Sequence, residues 1–250
     1  MRPRTVLTVP IESVLSTTFD AHGGLDYWRS LSAIDIEISA SGFLFTTKRV
    51  PPQRHARLTI NTRKPEVTLW DYPAPGQRAT LHGTDRVEIT DDNGSVLQSR
   101  TNPRAAFASK RLVTSWDAMD FAYFSGYAMW NYLTLPFLLL EPGVTVDATD
   151  SLTAQGMTRL KVGYPPTLPT HSPAQELYFD SSGRLRRHDY TAEVVGDWAS
   201  AIHLCEDYRQ FGGLWMPTKR RVYPKGPFNR PLPLPTLVAI DIHDAQPRPA

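Results

Sequence analysis

The 250-residue chain carries 27 basic and 25 acidic side chains, a net charge of +2, with 41% apolar and 21% charged residues. That balance excludes a disordered chain and provides no strong field to attract nucleic acid. Cys205 is the lone cysteine, so no intramolecular disulfide forms, and a chain this long builds a sizeable core without one or a metal.

The chain begins MRPRTVLTVPIESVL, where the apolar stretch from Val6 to Ile11 is short and broken by Thr8 and Pro10. No secretory signal is expected from it, and a cytoplasmic protein is the default. Residues 11 to 31 read as two short helices meeting at Gly23-Gly24. Ile11, Val14, Leu15 and Thr18 form one helical stripe, and Leu25, Trp28 and Leu31 repeat at helical spacing after the break. The period then changes to two: Ile34, Ile36, Ile38, Ala40 and Gly42 alternate with polar residues, which marks a half-buried strand. Shorter strands follow at 57–62, 66–70, 78–82, 86–90 and 96–100, separated by turn chemistry such as Asp92-Asn93-Gly94.

Between Pro103 and Leu140 the sequence turns helical and very aromatic. Ser115 is the expected N-cap of a helix over 116–134, with Asp117 near the positive end of its dipole, and Pro136 stops it. The longest apolar run, Leu133 to Leu140, is far below the roughly 20 residues of a membrane span, so no stable membrane insertion is expected. After a loop and a strand at 157–162 comes a meander: 175–180, 185–194, 201–210, 214–223 and 237–243. Strands joined by such short turns are antiparallel neighbours. The expected fold is mainly β: an antiparallel, incomplete or closed β-barrel of about 11 strands with a helical plug or lid. One domain over 1–250 is expected, with N-terminal helices at 1–31, a first strand set at 32–100, a helical insertion at 103–140 and a second strand set at 143–243.

Three segments carry a family resemblance: the His22 to Trp28 start, the Trp116 to Phe137 helix, and Arg220 to Pro224 in RRVYP. With them the chain resembles a poorly characterised bacterial family with HGG…W and WD…AYF-x-GYA-x-W-x-YLT-x-PF motifs. The order of elements is also similar to LolA/LolB-type carriers, whose incomplete barrels hold acyl chains under helical lids. The resemblance implies a LolA-like hollow for an apolar guest; it does not fix a function.

On the central helix, Asp120, Tyr123, Tyr127 and Asn131 fall on one polar-aromatic stripe, flanked by Trp116, Trp130 and Thr134. Phe121, Phe124, Ala128 and Leu135 make the apolar face. With almost no charge after Asp120, the helix is expected to be buried nearly all round. A cavity of several hundred Å³ is expected beside the stripe, with Trp116, Phe124, Trp130, Asn131, His171 and His203 as ligand-binding candidates. Asp120, Tyr123 and Tyr127 are the candidate catalytic residues: acid, base or oxyanion donors, with Asp120 raised in pKa by an apolar site. A core or surface role is the more common one for aromatic helices and isolated histidines, and it weighs against each of these assignments.

In the strand at 201–210, alternation leaves His203 with Cys205, Asp207 and Arg209, opposite the apolar Ile202, Leu204 and Tyr208. His203 is therefore expected to face outward unless the barrel interior is wet. His188 and Asp189 are adjacent and point to opposite faces, so they make no direct pair. Arg184, Arg186 and Arg187 on one strand, and Lys219, Arg220 and Arg221 on another, are expected on a solvated outer face, compensated by Glu206 and Asp207. No metal site and no cofactor are expected: HExxH, paired cysteines, a P-loop, GxGxxG and GxSxG are all missing.

The leading function from sequence is binding of a hydrophobic small molecule in a cavity between the curved sheet and the helix over 116–134. The partner is that molecule and not nucleic acid; the oligomeric state is left open. The first alternative is a cofactor-independent enzyme, a cyclase or isomerase acting on a hydrophobic compound of natural product biosynthesis. The second is a purely structural barrel filled by its own side chains.

Overall fold

The computed structural model describes residues 11–109, 115–148, 153 and 156–250. Residues 1–10 of the expected N-terminal helical region and the 110–114 part of the expected helical insertion lie outside them. Two helices, α1 (Ile11–Ala21) and α2 (Leu25–Arg29), break at Gly23 as expected. Gly23 has φ 118°, and a Cβ there would stand 2.3 Å from the Gly213 carbonyl oxygen. The break therefore lets the helix pair close onto the sheet.

The first strand set is β1 (Leu31–Ser41), β2 (Gln53–Asn61), β3 (Glu66–Trp70), β4 (Gln77–His82), β5 (Arg86–Asp91) and β6 (Val96–Thr101). A short helix, α3 (Phe43–Lys48), interrupts it. Six residues are too few for a helical period to register, and Phe43-Leu44-Phe45 reads as more strand. After a 3₁₀ turn at Pro103–Ser109 comes α4 (Ala118–Thr134), and a second 3₁₀ turn covers Phe137–Leu140. The second set is β7 (Thr145–Ala148), β8 (Thr158–Gly163), β9 (Ala174–Phe179), β10 (Leu185–Thr191), β11 (Ser200–Phe211), β12 (Leu214–Pro224) and β13 (Val238–Pro249).

All thirteen strands form one antiparallel sheet in the order β6-β5-β4-β3-β2-β1-β13-β12-β11-β10-β9-β8-β7. It is open, with β6 and β7 as its two edges, and holds two more strands than expected. Strand β7, read from sequence as loop, is only four residues long with a weak alternation. The centre is the pairing of β1 with β13, in which Ile36 faces Ala245 and Ile38 faces Ile242. The polar partners of β1 point the other way, so Ile34, Ile36, Ile38 and Ala40 are all buried on one face.

This order fixes where the helix runs. The insertion leaves the sheet at one edge strand and re-enters at the other, so it crosses the concave face. Every residue of α4 from Met119 to Thr134 except Ser125 is buried, as its lack of charge predicts. Close seating depends on Gly126, where a Cβ would come within 3.0 Å of Leu81 Cβ on β4. Trp130 Nε1 donates to the Asn61 carbonyl of β2 at 3.1 Å, which satisfies its one polar atom. No helix among the described residues is long and apolar enough to cross a membrane. Gly126→Val should overpack this contact and cost about 1–3 kcal/mol. Urea denaturation should show a lower midpoint at unchanged slope; an unchanged midpoint would contradict the close seating of α4 on β4.

Candidate functional site

The helix begins two residues inside the expected start. Asp117, not Ser115, is the N-cap, because the reciprocal bonds of a capping box need a side chain at both ends. The Asp120 backbone N–H donates to Asp117 Oδ1 at 2.8 Å, and the Asp117 N–H donates to Asp120 Oδ2 at 3.1 Å. Arg100 of β6 spans both carboxylates, donating through Nη1 to Asp120 Oδ1 and through Nη2 to Asp117 Oδ2, each at 2.7 Å. Asp120 is fully buried, but in an ion-paired cap that ties the helix to an edge strand.

The rest of the polar stripe faces the loop between β8 and β9. Tyr123 hydrogen-bonds Arg104, which also pairs with Glu193 at 2.6 Å and donates to the Thr170 and His171 carbonyls. These groups, with Tyr164 and Pro169, line a cleft of about 320 Å³. Neither Asp120, Tyr127 nor Asn131 borders it. Tyr127 Oη lies 3.2 Å from His171 Nδ1, and Asn131 Nδ2 donates to the Pro169 carbonyl at 2.8 Å.

A second polar cluster stands on the concave face of β9 to β12. His203 points inward and is completely buried, the reverse of what apolar alternation suggests. Ile202, on the outer face, is buried as well, so hydrophobicity does not distinguish the two sides of this strand. Further along the strand Asp207 takes a left-handed φ of 54°, while β11 keeps one register with β12 on both sides of it. The Tyr208 hydroxyl donates to the Leu185 carbonyl at 2.8 Å and lies 3.1 Å from His22 Nε2. Around His203 the rings interlock. Tyr132 meets His203 at 4.4 Å between centroids, and His171 stacks on Tyr190 at 3.8 Å. Tyr132 Oη lies 2.8 Å from both His171 Nε2 and Tyr190 Oη. His188 Nε2 donates to Gln175 Oε1 at 2.5 Å.

Arg220 joins this cluster and is not on the outer face with its neighbours. It is 2% exposed, while Lys219 and Arg221 pair outside with Glu206 and Asp241. Its Nη2 donates to the Tyr132 carbonyl at 2.9 Å, and the guanidinium lies 5.3 Å from the Tyr132 ring centroid. Burial, with the Arg220 charge adding to it, pushes His188 down to about 3. Burial likewise holds His171 and His203 well below the ordinary histidine range. The same desolvation drives Tyr127, Tyr132 and Tyr190 upward, so these histidines and tyrosines are neutral at ordinary pH around the charged Arg220.

On the opposite face of α4 is an apolar cavity of about 60 Å³. Phe121, Phe124, Ala128 and Met129 wall it from the helix, and Ile38, Leu58, Leu69 and Ile240 wall it from the sheet. Tyr132 closes one side, and Gln53, Arg57 and the part-exposed Trp70 also border it. The enclosed space is thus smaller than expected and lies on the helix face assigned to plain packing. Larger hollows, about 400 and 620 Å³, follow the outer face of β7 to β10 and the α1–α2 corner. They are shallow, solvent-facing and away from α4.

Of the candidate residues, Trp116, Phe124, Tyr127, His171 and, through Tyr132, His203 form one continuous run of ring contacts. Phe124 alone of the candidates lines the apolar cavity. Asp120 belongs to the Arg100 cap, Tyr123 to the Arg104 cleft, and Trp130 and Asn131 to anchoring bonds. Sequence reasoning passed over Tyr132, Gln175, Tyr190 and Arg220. The available signal was their parity: His188 and Tyr190 share a face, as do Thr218, Arg220 and the apolar Val222. Among the described residues no group of three or more His, Cys, Asp or Glu side chains is arranged to hold a metal ion.

No family model and no curated protein matches the chain. Solved structures do. A LolA superfamily protein from Nitrosomonas europaea is similar over 97% of this chain and 95% of its own, with TM-score 0.54 and 11% identity. A DUF1329 family protein from Desulfovibrio piger is similar over 96% and 94%, with TM-score 0.50 and 13% identity. At such identities the likeness is one of fold: the architecture is LolA-like.

The neutral histidines make stability pH-dependent. The unfolded chain takes up protons on histidine from about pH 6.5 downward, while the folded state refuses them at His171, His188 and His203. The unfolded state binds more protons there, so stability is fully present above 6.5 and is lost as pH falls. Each such histidine contributes a slope of up to about 1.4 kcal/mol per pH unit. Unfolding free energy measured in urea should therefore drop by more than one histidine's worth per unit between pH 6 and 4.5. A flat profile across that window would contradict the neutral block.

Proposed function

We propose that this protein binds a slim apolar small molecule in the cavity between α4 and the concave face of the sheet. The observation that carries this is the cavity itself, an apolar space between helix and sheet that opens toward solvent beside Arg57 and Trp70. An empty hole of that size costs about 1.4 kcal/mol relative to a filled core. Water fills it poorly, because a buried water needs two to four polar partners and these walls offer few. An aliphatic guest would regain the lost contacts.

The walls also suit entry and retention. Rigid rings, Phe121 against Phe45 and Tyr72, hold one side, while the flexible Met129 adapts to shape. The three bordering side chains Gln53, Arg57 and Trp70 provide the wettest part of the lining. The LolA-like architecture supports the reading without identifying a guest. A barrel filled by its own side chains does not account for the void. Ala128→Leu places three carbons into the space and should weaken binding of 1-decanol, followed by titration calorimetry, at least tenfold. Its ligand-free thermal midpoint should not fall. A folded variant that binds decanol as the parent does would put the guest elsewhere.

A further inference from the structure

Resting on that apolar-guest reading, the structure also points to what the guest carries at its end. We propose that Arg220 and His203 form a buried carboxylate-binding position directly behind the cavity wall, and that the ligand is a medium-chain aliphatic carboxylic acid.

Arg220 carries a charge that no neighbouring carboxylate among the described residues compensates. A guanidinium stays protonated in any protein environment and carries five N–H donors. Arg220 is buried, yet among the described residues no carboxylate pairs with it. Its contacts are one carbonyl, the Cys205 sulfur at 3.5 Å and the face of Tyr132. Its Nε has no hydrogen-bond partner at all. Burying an unpaired charge is among the costliest arrangements in a protein, and an anion placed against it removes that cost.

The second observation is independent. Both ring nitrogens of His203 lack a partner although the residue is fully buried. A neutral imidazole carries one N–H, so His203 offers a second unused donor beside the first. The register brings them together: Cys205 faces Arg220 and His203 faces Val222 across β11 and β12, with all four side chains on the concave face. His188 takes no part, because its Nε2 is committed to Gln175 and its free Nδ1 is an acceptor.

Proximity to the cavity selects the ligand. Tyr132 and Ile240 line the apolar void, and both touch Arg220's surroundings: Tyr132 by its ring and carbonyl, Ile240 as the direct cross-strand partner. Arg220 and His203 do not line the void themselves, so the proposed ligand places its tail in the void and its carboxylate past the Tyr132 ring that separates them. A carboxylate fits the Nε–Nη edge of a guanidinium in a planar fork and brings a single charge, whereas a phosphate dianion would leave charge unmatched. The small volume favours a medium, unbranched chain.

Titration calorimetry of the full chain at pH 7.5 with decanoate, methyl decanoate, 1-decanol and acetate tests this. Decanoate should bind at least tenfold tighter than the two neutral compounds, and acetate should not bind at millimolar concentration. Arg220→Met, close in shape and without the charge, should lower decanoate affinity to that of decanol and leave decanol affinity within twofold. Equal binding of decanoate and decanol by the parent overturns the carboxylate position while leaving the apolar site standing. Acetate binding as well as decanoate, or loss on Arg57→Gln in place of Arg220→Met, also overturns it. If none of the ten-carbon compounds binds, both readings fall. The parent comparison needs no variant, so a misfolded Arg220→Met does not weaken the test.

Discussion

In an antiparallel sheet whose first and last strands lie side by side at the centre, the two edges must be joined by the middle of the chain. Here β1 pairs with β13, and the segment from β6 to β7 has to cross the concave face. A crossing segment buried on every side has to satisfy its own backbone, which favours a helix, and it has to shed charge. Its sequence does both: α4 keeps its one pair of carboxylates in the first turn, where the helix dipole and Arg100 hold them. Beyond Asp120 it carries only uncharged side chains, and its hydroxyls and the Asn131 N–H find partners.

The two faces of α4 then take different work. One face, through Tyr123, Tyr127 and Asn131, bonds to Arg104 and the β8–β9 loop and locks the helix in place. The other, through Phe121, Phe124, Ala128 and Met129, is held off the sheet by ring size and leaves the apolar void. Tyr132 stands where these meet. Its hydroxyl belongs to the His171–Tyr190 network, its ring borders the void, and its carbonyl receives Arg220. A ligand moving in the void would therefore touch the polar block through Tyr132 and through Phe124, whose ring meets Tyr127 and His171.

Much of this was readable in the sequence where a pattern ran long enough to average over exceptions. The uncharged stretch after Asp120 foretold a buried helix, and the short turns of the second strand set foretold neighbouring antiparallel strands. Single-residue parity was less legible. His203 was placed outward because Ile202 and Leu204 are the more apolar pair, but Ile202 is buried on the outer face too, so that contrast carries no direction. Arg220 was grouped with Lys219 and Arg221, although alternation alone would have set it apart with Val222. A cavity between sheet and helix is expected from the sequence, but beside the polar stripe; an apolar helix face does not reveal whether its side chains meet the sheet or fall short of it.

The account's central claim is a location, the space between Leu58, Leu69 and Phe121. A crystal structure with 1-bromodecane, phased on the bromine edge, would report it without reference to affinity or fold stability. The account predicts an anomalous peak inside that space, with the chain running toward Tyr132. A peak in the Tyr123–Arg104 cleft, or on the outer face of the sheet with the space beside Phe121 unchanged, would contradict it.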